Sequence, residues 1–396
     1  MTSKIVRKSQ LSENVFRMTL EAPLIARERK AGQFIILRCD AEWGERIPLT
    51  IADADETAGT IDIIFQSVGV STKRLSLMNE GDILPDLVGP LGKPTEICSS
   101  MRSRGDALVS HSRYNDSAGA ASAGHCTPSD SRYNDSAGAA SAGHCTPSDP
   151  RGHVVVVGGG IGVAPAHPIA QAMKAAGNRV TVIMGARTKE LVIMEDEMRK
   201  VADELIVVTD DGSYGRKGLV TEPLKEIIES ANNQNNRIDE VVVVGPPVMM
   251  KFCALATKPF GVKTIASLNA IMIDGTGMCG GCRVTVGGET KFVCVDGPEF
   301  DAHEVDFDGF ISRLGAFREE EQEHRCRSGL FGCASMDPRG DALVSHSRYN
   351  DSAGAASAGH CTPSDSRCND SAGAASAGHC TPSDPRGFEE AKENHK

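Results

Sequence analysis

The sequence predicts a multidomain α+β protein. An antiparallel β-barrel comes first, an α/β domain on a parallel sheet second, and a small cysteine-bearing C-terminal segment third, with two disordered repeat insertions between and after them. Three observations carry this. Short β-rich stretches separated by polar turns fill residues 1–98. The apolar run Val154–Val157 leads through a glycine loop into a helical pattern. Cys279, Cys282 and Cys294 fall within 16 residues, at spacing C-x2-C-x11-C.

Composition bounds the function. The chain has 396 residues, enough for two or three cores, and a net charge of −11. That charge argues against a nucleic-acid or anionic-membrane surface. No apolar run reaches the ~18 residues of a membrane span. The first residues pass straight into strand-like alternation without a signal-type apolar stretch. Thirteen cysteines are far too few for a disulfide scaffold. A reducing cytoplasm is therefore expected, with thiols used for metal or left free.

Within residues 1–98 the expected strands are Lys4–Gln10, Val15–Glu21, Gly32–Asp40, Ile47–Ala52 and Gly59–Ser67. Arg46-Ile47-Pro48-Leu49-Thr50 puts a fixed cation and a hydroxyl on a strand that proline stiffens. Gly69-Val70-Ser71-Thr72 opens a helical pattern through Leu77. Free N–H groups and the helix dipole make such a start a ready phosphate site. Taken singly, Arg46 reads as a solvated charge and Ser71 and Thr72 as a plain N-cap. Together, ahead of a nucleotide domain, they fit a grip on an isoalloxazine and a pyrophosphate. Gly89–Pro94 reads as the turn that closes the barrel.

Residues 99–152 form a low-complexity insertion. Residues 101–152 recur at 336–387, differing only at Arg102/Asp337, Ser103/Pro338 and Tyr133/Cys368. Each copy holds a 19-residue unit twice, poor in large apolar residues. Such a segment cannot bury enough surface to offset its ordering entropy. The repeated His125-Cys126 and His144-Cys145 pairs invite a metal-binding reading, but a duplicated element tolerated in surface loops explains them better.

In residues 153–265, Gly158-Gly159-Gly160-Ile161-Gly162 follows the first buried strand and precedes a helix expected at Ile169–Ala176. It is not the G-x-G-x-x-G fingerprint, yet its glycines equally let backbone approach a pyrophosphate. Further strands are expected at Arg179–Gly185, Leu205–Thr209 and Val241–Val244, with a helix at Glu190–Ala202. Two of these strands end in Asp210-Asp211-Gly212 and Gly245-Pro246-Pro247-Val248-Met249-Met250. Loops at the carboxyl ends of parallel strands are where open α/β sheets bind ligands. The methionines read equally as helix core, and His167 as a structural histidine.

In residues 266–322, Asp274 lies five positions before Cys279, where a plant-type two-iron loop carries its first cysteine. Gly275, Gly277, Gly280 and Gly281 let backbone turn tightly and aim N–H groups at sulfur. The spacing suggests a [2Fe-2S] site on Asp274, Cys279, Cys282 and Cys294. Structural zinc on the same thiols with Asp274 or His303 is the competing reading, and a simple Asp-Gly turn with buried thiols is a third.

The order of these motifs resembles the ferredoxin–NADP reductase superfamily. Within it the chain is most similar to the small subunits of NADH-dependent reduced ferredoxin:NADP oxidoreductases, also called sulfide dehydrogenase β subunits. The electron-transfer subunit of dihydroorotate dehydrogenase is close, but that family has cysteine where this chain has Asp274. The resemblance raises the iron reading above zinc. It implies FAD, a [2Fe-2S] cluster and NAD(P)H as cofactors. Arg46, Pro48, Leu49 and Thr50 would face the flavin, with Gly69, Val70, Ser71 and Thr72 at its pyrophosphate. Gly158, Gly159, Gly160, Gly162, Asp210, Asp211, Gly245, Pro246 and Met249 would hold the nicotinamide nucleotide. Hydride transfer to flavin needs no general base, so no acid–base residue is nominated. The implied partner is a larger flavoprotein subunit with [4Fe-4S] clusters in a heterodimer, with ferredoxin as a further acceptor. Departures from the family are Ala166-His167 and the insertions, the second of which makes residues 323–396 an interrupted tail.

Overall fold

A computed structural model describes residues 2–42, 44–97, 152–233 and 237–330. The repeat segments, with His125-Cys126, His144-Cys145 and Phe388–Lys396, lie outside these residues.

The first domain is built from β1 (Ser3–Ser12), β2 (Val15–Glu21), α1 (Pro23–Glu28), β3 (Phe34–Arg38), β4 (Ile47–Asp55), β5 (Thr60–Gln66), α2 (Val70–Leu77), β6 (Ile83–Leu84) and β7 (Asp86–Leu91). Its strands lie in the order β6-β1-β2-β5-β4-β3-β7. Only Pro85 separates β6 from β7, yet they end opposite edges of the sheet. The sheet is therefore curled until its edges nearly meet. Alternation along β3 divides the packing. Ile35 and Leu37 point into the barrel core, whereas Phe34 and Ile36 join the core shared with the later segments. The expected turn at Gly89–Pro94 is corrected: Gly89 and Pro90 belong to β7, and proline is accepted because that strand is at the edge.

The second domain comprises β8 (His153–Gly159), α3 (Val163–Ala175), β9 (Arg179–Ala186), α4 (Glu195–Val201), β10 (Glu204–Thr209), β11 (Arg216–Lys217), α5 (Thr221–Asn233), β12 (Glu240–Val244), α6 (Pro247–Thr257) and β13 (Lys263–Ser267). Strands β8 and β12 are buried along their whole length, as helices on both faces require. Strand order runs β11-β10-β9-β8-β12-β13, all parallel. Helix α3 begins six residues before the expected start. Pro165 falls in its first turn, where a missing N–H is harmless, and the helix continues through Pro168.

The last segment holds β14 (Arg283–Val286), β15 (Glu289–Phe292), α7 (Val293–Asp296), β16 (Glu299–Asp301), α8 (Phe307–Leu314) and α9 (Arg318–Arg327). Strand β16 pairs antiparallel with β13, which extends the parallel sheet by one strand. A buried cluster containing Ile36, Val243, Met250, Cys282 and Cys294 ties barrel, sheet and cysteine segment together. No helix among the described residues is long and apolar enough to cross a membrane.

Candidate functional site

The expected residues gather at three places. The first is the carboxyl end of the parallel sheet. Strand order reverses between β8 and β12, which pair with Val244 opposite Gly158. That switch point is where such sheets open a crevice, and both expected glycine loops flank it. A Cβ on Gly245 would stand 2.6 Å from Met249 Cε and 3.2 Å from Gly159 Cα, so the loops touch through their backbones. A Cβ on Gly159 would meet Met249 Sδ at 2.3 Å, and one on Gly162 would meet the Val244 carbonyl oxygen at 2.4 Å. Gly160 differs: its φ is +55° and nothing lies within 4 Å of its open side. That is a cradle a side chain would fill. Pro246 caps α6, Met250 is fully buried core, and Met249 is wedged between the two loops. Asp210 and Asp211 follow β10. Asp211 accepts the backbone N–H and hydroxyl of Ser213 at 2.9 and 2.7 Å, and the Ser213 bonds hold its carboxyl below the usual range.

The second place is the barrel face around β4 and α2. Arg46 is exposed and pairs at the surface with Asp86 at 2.8 Å. Pro48, Leu49 and Thr50 lie half-buried on β4, opposite Ile36, Ile35 and Phe34 of β3. Thr72 Oγ1, at the third position of α2, accepts the N–H groups of Gly69 and Val68 at 3.0 and 3.1 Å, which ties the helix to its N-cap Gly69. The Ser71 hydroxyl donates to Glu45 Oε2 at 2.8 Å. Val70 anchors the same turn in the core. Asp86 and Glu45 carried no motif that would have singled them out.

The third place is the loop from Asp274 to Cys282. Asp274 accepts the backbone N–H of Thr276 at 2.8 Å and of Cys279 at 2.9 Å, which hold its carboxyl below the ordinary range. The Cys282 and Cys294 sulfurs lie 3.2 Å apart in a buried pair. Burial first, then that hydrogen bond, push the Cys294 thiol up to about 12. Asp274 lies within electrostatic reach of Cys294, and Gly281 donates its N–H to Cys279 Sγ at 3.5 Å. The four residues thus group in twos, Asp274 bound to the backbone of Cys279 and Cys282 paired with Cys294 through sulfur. A two-iron cluster takes two ligands on each iron, so the donor set fits. Among the described residues no three such side chains converge as a single-ion site. His303 Nε2 shares a hydrogen bond with Thr257 Oγ1 at 2.9 Å.

The third place abuts the second. Gly275, with φ +75°, leaves no room for a Cβ: Ile36 Cδ1 would lie at 2.6 Å and Leu91 Cδ1 at 2.8 Å. Ile36 is in turn the register partner of Pro48. One residue of β3 separates the cysteine loop from the strand expected to face a flavin.

Comparison with known proteins agrees with this geometry. Residues 156–254 match the family described as oxidoreductase NAD-binding domain, and residues 269–306 match the iron-sulfur cluster binding domain of dihydroorotate dehydrogenase B. A dihydroorotate dehydrogenase B (NAD(+)) electron transfer subunit homolog from Thermotoga maritima is 41% identical over 320 residues, covering 81% of this chain and 93% of that one. The corresponding electron transfer subunit from Geobacillus thermodenitrificans is 30% identical over 307 residues, with 76% and 96% covered. A chain in the structure of an NADH-dependent reduced ferredoxin-NADP oxidoreductase, solved for flavin-based electron bifurcation, superposes with a TM-score of 0.65. It is 39% identical, with 82% of this chain and 97% of that one covered. The expected ferredoxin reductase-like fold and the cofactor set of FAD, [2Fe-2S] cluster and NAD(P)H accord with these matches. The protein belongs to the family of dihydroorotate dehydrogenase B electron-transfer subunits and their homologues, oxidoreductase subunits with a nicotinamide domain and an iron–sulfur domain.

Proposed function

We propose that this chain exchanges hydride with NAD(P)H at a bound FAD and passes single electrons, through a [2Fe-2S] cluster, to a partner flavoprotein or ferredoxin. The observation that carries the reading is the contact at Gly275, which sets the cysteine loop one residue of β3 away from Pro48. A flavin and an iron–sulfur cluster together supply the conversion of a two-electron hydride into single electrons. The protein's part is to hold, orient and shield.

Residues 1–98 form the flavin barrel. Arg46, fixed by Asp86, together with Pro48, Leu49 and Thr50, orients the ring system. The first-turn N–H groups of α2 and the Ser71 hydroxyl receive the pyrophosphate once Glu45 moves aside. Residues 153–265 form the nicotinamide domain. Gly160, in the crevice between β8 and β12, would hold its nucleotide together with Asp210, Asp211 and Met249. Residues 266–322 hold the cluster on Asp274, Cys279, Cys282 and Cys294. The partner is a larger flavoprotein subunit carrying [4Fe-4S] clusters, joined as a heterodimer, and NADH is the preferred nucleotide. A reducing cytoplasm suits a chain whose Cys39, Cys253, Cys279, Cys282 and Cys294 are thiols.

Cofactor analysis of the anaerobically purified chain tests this. One FAD and about two irons with matching labile sulfide per chain are expected, and zinc without flavin would refute it. A second reading, service as the electron-transfer subunit of a dihydroorotate dehydrogenase, is favoured by the iron–sulfur match at 269–306. Orotate-dependent oxidation of NADH with a catalytic partner would select it.

A further inference from the structure

Outside the residues assigned above, the barrel and the nicotinamide domain enclose a cavity of about 50 Å3, lined by the polar Arg17, Asp53, Asp62, His167 and Glu197 together with Ala52 and Met194. Arg17, Ala52, Asp53 and Asp62 belong to β2, β4 and β5, His167 to α3 and Glu197 to α4. Arg17 bridges the domains through a 2.9 Å ion pair with Glu197, both partners largely shielded. Asp53 accepts the N–H of Ala54 at 2.8 Å and pairs with Arg29 at 3.2 Å. Asp62 accepts the hydroxyl of Thr19 at 2.6 Å. The ring of His167, only 4% exposed, bonds the backbone of Ala52.

Two polar atoms remain without partners, His167 Nδ1 and Arg17 Nε. An unpartnered polar atom is expensive to bury. Here both belong to residues lining one cavity with room for a few waters, since a single water needs only about 10–15 Å3. One is an N–H donor and the other, with the opposite ring nitrogen donating to Ala52, an acceptor. A water within hydrogen-bond reach of both would satisfy them. The neighbouring interface is apolar, with Val15, Ala52 and Ile64 against Val163, Ala164 and Ala166. Apolar contact is non-directional and fixes no angle. A hydrogen-bonded ion pair does.

We propose that this cavity holds ordered water and that Arg17, Glu197 and His167 form a joint fixing the angle between nicotinamide domain and barrel. They are then positioning residues for hydride transfer, an inference that rests on the function proposed above. Anaerobic stopped-flow reduction of the flavin-loaded chain by NADH tests it, with wild type measured first. An unreduced wild type would count against the proposed function and leave no rate to compare. Given a reducible wild type, Arg17→Glu sets a carboxylate against Glu197, Asp53 and Asp62. The limiting reduction rate should fall about tenfold, with flavin content, cluster absorbance and NADH affinity unchanged. The swap Arg17→Glu/Glu197→Arg should restore most of the rate. Full rate in the single variant, or a swap no faster than either single, overturns the joint. Should Arg17→Glu not fold, Arg17→Gln and Glu197→Gln form a cycle: a shared loss supports the joint and additive losses refute it. A crystal structure should show water bonded to both His167 Nδ1 and Arg17 Nε, and a dry cavity would refute that element.

Discussion

Asp274 accepts the backbone N–H of Cys279 at 2.9 Å, five residues along a loop that Gly275 and Gly277 turn through positive φ. The bond places a carboxylate beside the first thiol of the set. It also caps the turn, and the two roles separate by substitution. Asp274→Asn keeps an oxygen to accept both N–H groups but removes the anionic charge proposed to bind iron. Iron affinity should fall by at least the ~10–100-fold typical of lost support at metal sites. Asp274→Cys should retain the cluster with an altered visible spectrum. Iron analysis alongside absorbance checks both. Unchanged iron in Asp274→Asn would leave the aspartate a turn cap only.

Gly275 carries the contact between cluster loop and barrel. Gly275→Ala places a Cβ against Ile36 and Leu91 at a φ of +75°, at a cost of about 1–3 kcal/mol. Flavin reduction by NADH should persist while electron arrival at the cluster slows. Stopped-flow traces at flavin and cluster wavelengths separate the steps, and equal slowing of both would contradict this.

Gly159→Ala should act on the other cofactor. Its Cβ would stand 2.3 Å from Met249 Sδ, so the Met249 side chain must shift toward the crevice proposed for the nucleotide. The KM for NADH should rise about tenfold or more with flavin content intact. Adding Met249→Ala removes the obstructing side chain and should recover part of the loss. No recovery would mean that the nucleotide itself needs the missing Cβ space.

Glu299 offers a pH test. It accepts a hydrogen bond from Thr95 at 2.6 Å, and burial pushes its carboxyl up to about 7 from an ordinary 4.5. The folded state therefore binds a proton that the unfolded state has already released between these values. Stability should fall as pH rises through that window and level off above about 7. Glu299→Gln stays neutral, so it should flatten the slope and be more stable at pH 8 by about 1–2 kcal/mol. Thermal melts at pH 5 and pH 8 measure it. A wild type that gains stability over this range would contradict the assignment.

Much of this was legible in the chain because its signals are local. β-rich stretches between polar turns marked β2 and β4, the apolar run Val154–Val157 marked the central parallel strand, and the cysteine spacing marked the cluster loop. Signals that compete locally misled. Gly89-Pro90 reads as a turn, yet an edge strand needs no N–H from Pro90. Prolines 165 and 168 disguised the start of α3. Long-range partners left no trace: Asp86 beside Arg46, Glu45 beside Ser71, and the joint of Arg17 with Glu197 depend on chain segments that meet only after folding.

The most direct test of the central claim is an anaerobic visible spectrum of the purified chain, followed by NADH. Flavin bands over a broad iron–sulfur absorbance, both bleaching as NADH is added, are the result expected of a nicotinamide–flavin–cluster relay. A colourless protein, or flavin bands that bleach with no cluster absorbance beneath them, would contradict it.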